Sequence, residues 1–387
     1  MKLDGIKVLD LSLFLPGPTL TQLMADHGAD VIKLEPTGDG EPNRHIGQKR
    51  DDVSVYFANT HRGKRSLQLN LKHESGRELA HRLITEVDVV IEAFRPGVAS
   101  RLGMSYEDVA PLNQGLVYAS LSAFGQSGPY VNKPAHDLAT EAYSGVLSVN
   151  LGNDGKPALP AIPTGDMFAA TLGLSAVLMA LLRRTETGQG DYIDLAMMDS
   201  MIACMPNSMG RAFADKEAPI VKDERIWGGS AMYNIYETKD GKYVVLGASE
   251  IHFARAVLRK FDREDLLAYC EPPPGKQQEP ARAFFREIFA TQDQEYWIDW
   301  FDGVDAAFAP VKDLREGLDD PQLRFREMIV EDDVGQEHIG MPIKFLREPG
   351  QINFVAPDLG EHNEEICREL GYSDQEIQEL KVSGVLS

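Results

Sequence analysis

The sequence predicts an α/β protein whose mainly parallel sheet is covered by helices. Three observations carry this. Short β-rich runs alternate with helical stretches through the first third of the chain. Its 387 residues exceed one ordinary domain. Apolar residues make up 43% and charged residues 26%, ordinary globular usage that leaves no long stretch too polar to fold.

In order, Ile6 to Leu11 is a β-rich run, Pro18 to His27 reads as a helix closed by Gly28, and Asp30 to Leu34 is a second strand. A helix over Glu74 to Thr85 leads into a strand at Asp88 to Ile91, and Leu116 to Leu121 makes another. Repeated βαβ units of this kind form a Rossmann-like framework with ligands at the carboxyl ends of the strands. The sixteen residues Met167 to Leu182 are nearly all apolar but contain Thr171, Gly173 and Ser175, which suits a buried core helix better than a membrane span. From about Tyr233 the pattern changes. Asn234 to Glu237 and Tyr243 to Leu246 flank Lys239-Asp240-Gly241 as a β-hairpin, and the proline cluster Glu271 to Gly275 follows, so a smaller α+β domain belongs here.

A net charge of −21 argues against nucleic acid or an anionic membrane surface as a partner, since both require a broad positive field. One segment runs against the average: His61 to Lys72 carries Arg62, Lys64, Arg65 and Lys72 with no acid among them. Such an island either receives a phosphorylated small molecule or is a solvated loop. The three cysteines, Cys204, Cys270 and Cys367, are far apart and form no CxxC pair. With an N-terminus that opens into an alternating apolar pattern and not a leader, they predict a cytoplasmic location.

No GxGxxG follows any predicted strand and no GxxxxGK[ST] occurs, so nicotinamide and ATP chemistry lose ground. Neither HxxxH nor HExxH is present, His362 has no partner at ligand spacing, and no GxSxG elbow occurs; no metal and no serine nucleophile is predicted. Three acid/base candidates remain. Asp166 stands where the loop Pro160 to Gly165 meets the apolar helix, and is either an N-cap or a carboxylate able to act as base or nucleophile. His136 sits at another helix start beside Asp137, as a proton-transfer group or a satisfied histidine. Glu250 opens a helix after the strand Tyr243 to Leu246, a favourable first-turn charge if nothing more.

Several ordered segments resemble the class III coenzyme A transferase superfamily, the CaiB/BaiF type, which also includes the α-methylacyl-CoA racemases. They are Leu9-Asp10-Leu11-Ser12 with Leu15-Pro16-Gly17-Pro18, Gly28 to Pro36, Arg62-Gly63-Lys64-Arg65-Ser66, and Phe94-Arg95-Pro96-Gly97 with Arg101-Leu102-Gly103. Phe124 to Pro129, Thr187-Gly188-Gln189-Gly190 and Gly360 to Asn363 complete the set. The resemblance implies an interlocked homodimer with a Rossmann-like large domain built from both chain ends. Residues 1–215 and 326–387 then form the CoA-binding domain, and residues 216–325 the smaller inserted one. It also implies an acyl-CoA thioester as substrate with no resident cofactor. Arg95, Arg101, Arg62, Lys64, Arg65 and Lys33 become candidate CoA-binding cations.

Two chemistries occur in the superfamily. In the transferases, the aspartate matching Asp166 is a nucleophile that passes through a mixed anhydride to an aspartyl-CoA thioester. In the racemases, residues matching His136 and Asp166 face opposite sides of the α-carbon, with a glutamate matching Glu250 beside the aspartate. All three positions are filled, and Leu246-Gly247-Ala248-Ser249-Glu250 stands where a transferase carries a glycine run. The resemblance therefore leads to an acyl-CoA racemase or epimerase acting on 2-methylacyl-CoA thioesters by 1,1-proton transfer. Asp166 and His136 exchange the proton, Glu250 tunes Asp166, and Gly165 or neighbouring amides hold the thioester oxygen. CoA transfer between carboxylic acids is the alternative. Two segments depart from the racemase pattern: Leu138-Ala139-Thr140-Glu141 after His-Asp, and Met167 to Ala170 after the aspartate.

Overall fold

The computed structural model describes residues 1–247 and 249–387; Ala248, inside the Leu246 to Glu250 segment discussed above, lies outside them. The chain divides into two units, one made of 1–147, 159–206 and 322–387, the other of 148–158 and 207–321.

In the first unit, β1 (Lys7–Asp10), α1 (Pro16–Ala25), β2 (Asp30–Glu35), α2 (Val55–His61), β3 (Arg65–Gln68) and α3 (Glu74–Ile84) follow one another. Next come β4 (Val89–Glu92), β5 (Val117–Ser122), α4 (Asp137–Ser144), α5 (Thr164–Thr187), β6 (Tyr192–Ala196) and α6 (Met197–Ala203). The six strands form one sheet in the order β3-β2-β1-β4-β5-β6. Every neighbouring pair is parallel, with Leu9 opposite Ile32 on one side and Val90 on the other. This is a doubly wound, Rossmann-like order that reverses direction between β1 and β4.

Its central strands are buried along their whole length, which is why β4 and β5 read as unbroken runs and not as alternations. On one face Leu9, Ile32, Leu67, Val90 and Tyr118 pack with Leu79, Ala80 and Leu83 of α3; on the other Val8, Val31, Val89 and Ile91 pack with Leu20, Met24, Ala170 and Val177.

Two strands of this sheet escaped sequence reading. β3 falls within the basic island, yet its Ser66, Leu67 and Gln68 are buried. Their polar groups are met by Glu35, by Asn363, whose Oδ1 accepts from the Gln68 amide at 2.7 Å, and by His362. β6 carries a charged Asp194 in its middle, which masks it. Helix α5 is longer than the predicted 167–182, and its burial is one-sided: Ala169, Ala170, Gly173, Leu174, Val177 and Leu181 are buried while Leu178, Met179 and Leu182 are exposed. By length and composition it could cross a membrane, but one face is part of the core of its unit.

The second unit contains the antiparallel strands β7 (Tyr233–Glu237), β8 (Tyr243–Gly247) and, after helices α7 (Ile251–Lys260), α8 (Glu279–Phe289) and α9 (Gln294–Phe301), β9 (Phe308–Pro310). The predicted hairpin turn is held by Thr238, whose hydroxyl donates to Asp240 at 2.5 Å, and by Gly241 at φ +74°. Tyr236, Val257, Phe285, Phe289 and Trp297 form its core. The chain then returns to the first unit, where α10 (Asn363–Glu369) and α11 (Asp374–Val382) add Ile366, Ile377 and Leu380 to the core on the α3 face.

Candidate active site

The carboxyl ends of β1, β4 and β5 open around a cleft of about 290 Å³, at the place where the strand order reverses. Phe14, Arg95, Phe124, Lys133, His136 and Asp166 line it. The structure thus brings both acid/base candidates of this unit to one cavity.

Asp166 is not the N-cap of its helix. α5 starts at Thr164, with Pro163 in the cap position and Asp166 in the first turn. A helix start needs acceptors for its first amides, and α4 supplies them. Glu141, fully buried, accepts from the Thr164 amide at 3.2 Å and from the Thr164 hydroxyl, and Asp137 Oδ1 accepts from the Asp166 amide at 3.1 Å. The helix therefore begins three residues earlier than the sequence suggested, and the Asp166 carboxylate is released from capping. Among the described residues nothing donates a hydrogen bond to it. Burial pushes its carboxyl up, and the nearby acids Asp137 and Glu141 push it further, to about 7. The positive end of the α5 dipole acts in the opposite direction.

The amide of Gly165 differs from expectation in the same way. Gly165 is buried, a Cβ there would lie 2.9 Å from Asp137 Oδ1, and its N–H, like that of Asp166, helps to hold down the Asp137 carboxyl. Burial comes first for Asp137 and leaves its carboxyl raised. These first-turn amides serve α4's carboxylates before any thioester oxygen.

His136 takes the N-cap position of α4 in an extended conformation, makes no capping bond, and stays exposed with its ring edge-on to Phe14 at 5.9 Å. Glu250 belongs to the second unit, where it is an exposed residue at the N-cap position of α7.

The six cations divide sharply. Lys33 is fully buried against Asp10 at 3.6 Å and Glu41 at 3.3 Å, and Lys64 against Asp10 at 3.1 Å. Burial alone would push the Asp10 carboxyl up, but Lys33 and Lys64 hold it well below the usual carboxylate range. Arg62 pairs with Asp26 at 2.9 Å, and Arg65 with Asp30, Glu365 and Glu369. Arg62, Lys64 and Arg65 of the basic island thus form ion pairs within the fold: their acids lie far away in sequence, which is why the segment looked uncompensated. Arg95 and Arg101, after β4, are exposed and carry no ion pair among the described residues. Arg95 reaches the cleft.

Sequence reasoning missed the roles of four residues, two that line the cleft and two that cap the helix carrying Asp166. Asp137 and Glu141 stand four residues apart on one helix face, a legible spacing whose target was not. Lys133, braced on the rings of Tyr130 and Tyr143 at 4.2 and 4.4 Å, had no motif around it. Phe14 left no signal at all.

Residues 3–363 match the profile of CoA-transferase family III. The chain is 33% identical to succinyl-CoA:mesaconate CoA-transferase of Haloarcula marismortui, covering 95% of this chain and 96% of the relative. It is 30% identical to succinyl-CoA–D-citramalate CoA-transferase of Chloroflexus aurantiacus, covering 99% and 98%. Among solved structures it is similar to a CaiB/BaiF family protein from Brucella suis, with a TM-score of 0.83, 27% identity and coverage of 95% and 99%. By the match over 3–363 and the identity to these relatives, the chain belongs to CoA-transferase family III, a family of enzymes.

Proposed function

We propose that the protein is a class III CoA transferase that moves CoA between carboxylic acids through Asp166. The observation that carries this is the Asp166 carboxylate itself: half-buried in the cleft, with no hydrogen-bond donor among the described residues, and flanked by two acids that raise its basicity. The names of both relatives support transfer over racemisation, the reading that the resemblance had put first. Succinyl-CoA is the proposed donor and a short dicarboxylic acid the acceptor, by analogy with those names.

In this mechanism an Asp166 oxygen attacks the thioester carbonyl and the C–S bond breaks, giving an acyl-aspartyl anhydride and CoA thiolate. The thiolate attacks the aspartyl carbonyl, releasing the donor acid and leaving an aspartyl-CoA thioester. The acceptor carboxylate then repeats the sequence in reverse. Arg95 and Arg101, the two candidate cations with no ion pair among the described residues, are assigned to CoA phosphates. The homodimer is proposed on two grounds, the resemblance to interlocked family members and the apolar outer face of α5, Leu178, Met179 and Leu182.

One observation favours a second reading. His136 lines the same cleft as Asp166, as a two-group proton transfer would require. A single experiment separates the two. The enzyme is incubated with succinyl-CoA and mesaconate, and in parallel with a 2-methylacyl-CoA alone in D₂O. The transferase reading predicts mesaconyl-CoA in the first and no α-deuterium in the second; the opposite pair of results would sink it.

A further inference from the structure

Phe14 adopts φ +65°, a left-handed conformation that is an outlier for a bulky L-residue. It is held from both sides. Its amide donates to Glu41 Oε1 at 2.9 Å, and its carbonyl accepts from the Asn43 side chain. Both partners are fully buried, and Glu41 is itself fixed by Lys33 within the Asp10 cluster. A buried charge network beneath the cleft thus holds one backbone unit in a conformation that glycine would adopt without strain. The side chain kept there is neither core nor surface filler: Phe14 is 39% exposed, lines the cleft and meets the His136 ring edge to face.

Strain of this kind persists where the surroundings enforce it, and it gathers at functional sites. We propose that Phe14 is held in this conformation to keep water from the acyl group on Asp166, and so sets the partition between CoA transfer and hydrolysis. The inference rests on the transferase reading. At the anhydride stage water can attack the acyl carbonyl carbon. The C–O bond to Asp166 then breaks, donor acid and the Asp166 carboxylate form, and CoA departs as the free thiol. The sum is thioester plus water to acid plus thiol, with nothing transferred. An apolar ring beside the reacting group lowers the water available for that step.

The test compares wild type with Phe14→Leu, Phe14→Ala and Phe14→Gly, using succinyl-CoA and mesaconate and measuring mesaconyl-CoA against free CoA thiol. The ratio of hydrolysis to transfer is expected to rise about tenfold or more in the alanine and glycine variants and to stay within about twofold of wild type in the leucine variant. The urea midpoint of Phe14→Gly should equal or exceed that of wild type, because glycine relieves the backbone. Transfer at an unchanged ratio in all variants would overturn the proposal alone. A wild-type enzyme that transfers no CoA would remove the transferase reading and this proposal together.

Discussion

At Asp166, function and stability pull in opposite directions. Its carboxyl titrates at about 7 in the folded protein but near the ordinary value of 3.8 when unfolded. Between these limits the folded state holds the extra proton, so this residue's contribution to stability declines as pH rises from about 4 to 7, and above 7 the whole penalty is present. Asp166→Asn should therefore raise stability at pH 8 by roughly 1–3 kcal/mol, with little gain at pH 4, while lowering transfer by on the order of 10³-fold or more. Denaturant titrations at the two pH values check the first claim. A nucleophile must be ionised, so activity should climb as pH passes through about 7. Asp137→Asn keeps an acceptor for the Asp166 amide but removes a negative neighbour. The acid limb of kcat/KM should move to lower pH, giving several-fold more activity than wild type, relative to each enzyme's maximum, at pH 6.

Among the elements, α1 and α5 matter most, because α1 begins just after Phe14 and Asp166 sits in the first turn of α5. Gly173 sets how closely they approach: a Cβ there would stand 2.7 Å from Leu20 Cδ1 and 3.3 Å from Leu195. Gly173→Val should cost about 2–3 kcal/mol, read from the urea midpoint. Elements were legible in the sequence wherever hydrophobic periodicity was local. β1, β2, β4 and β5, helix α3 and the β7–β8 hairpin all announce themselves. β3 and β6 did not, because Arg65, Gln68 and Asp194 hide their pattern, and the partners that bury β3 come from Asn363 and His362 some three hundred residues away. The start of α5 was misread for the same reason, since its capping carboxylates lie on α4.

For the whole molecule, the cleft position followed from the fold, as a doubly wound sheet concentrates binding where strand order reverses. The fate of the basic island did not, since charge pairing over long sequence distances is invisible to composition. The apolar stripe on α5 carries the expectation of a homodimer. Wild-type protein should sediment as a dimer, and Met179→Asp combined with Leu182→Asp should yield monomers with transfer reduced about tenfold or more, because a charge buried in an interface is costly. A wild-type monomer would contradict the dimer. The central claim is that Asp166 becomes covalently acylated. Its most direct measurement treats the enzyme with succinyl-CoA and then hydroxylamine, and maps the product by peptide mass spectrometry. The account predicts an aspartyl hydroxamate at Asp166 that depends on succinyl-CoA and is absent from His136-containing peptides; an enzyme that turns over with Asp166 unmodified would contradict it.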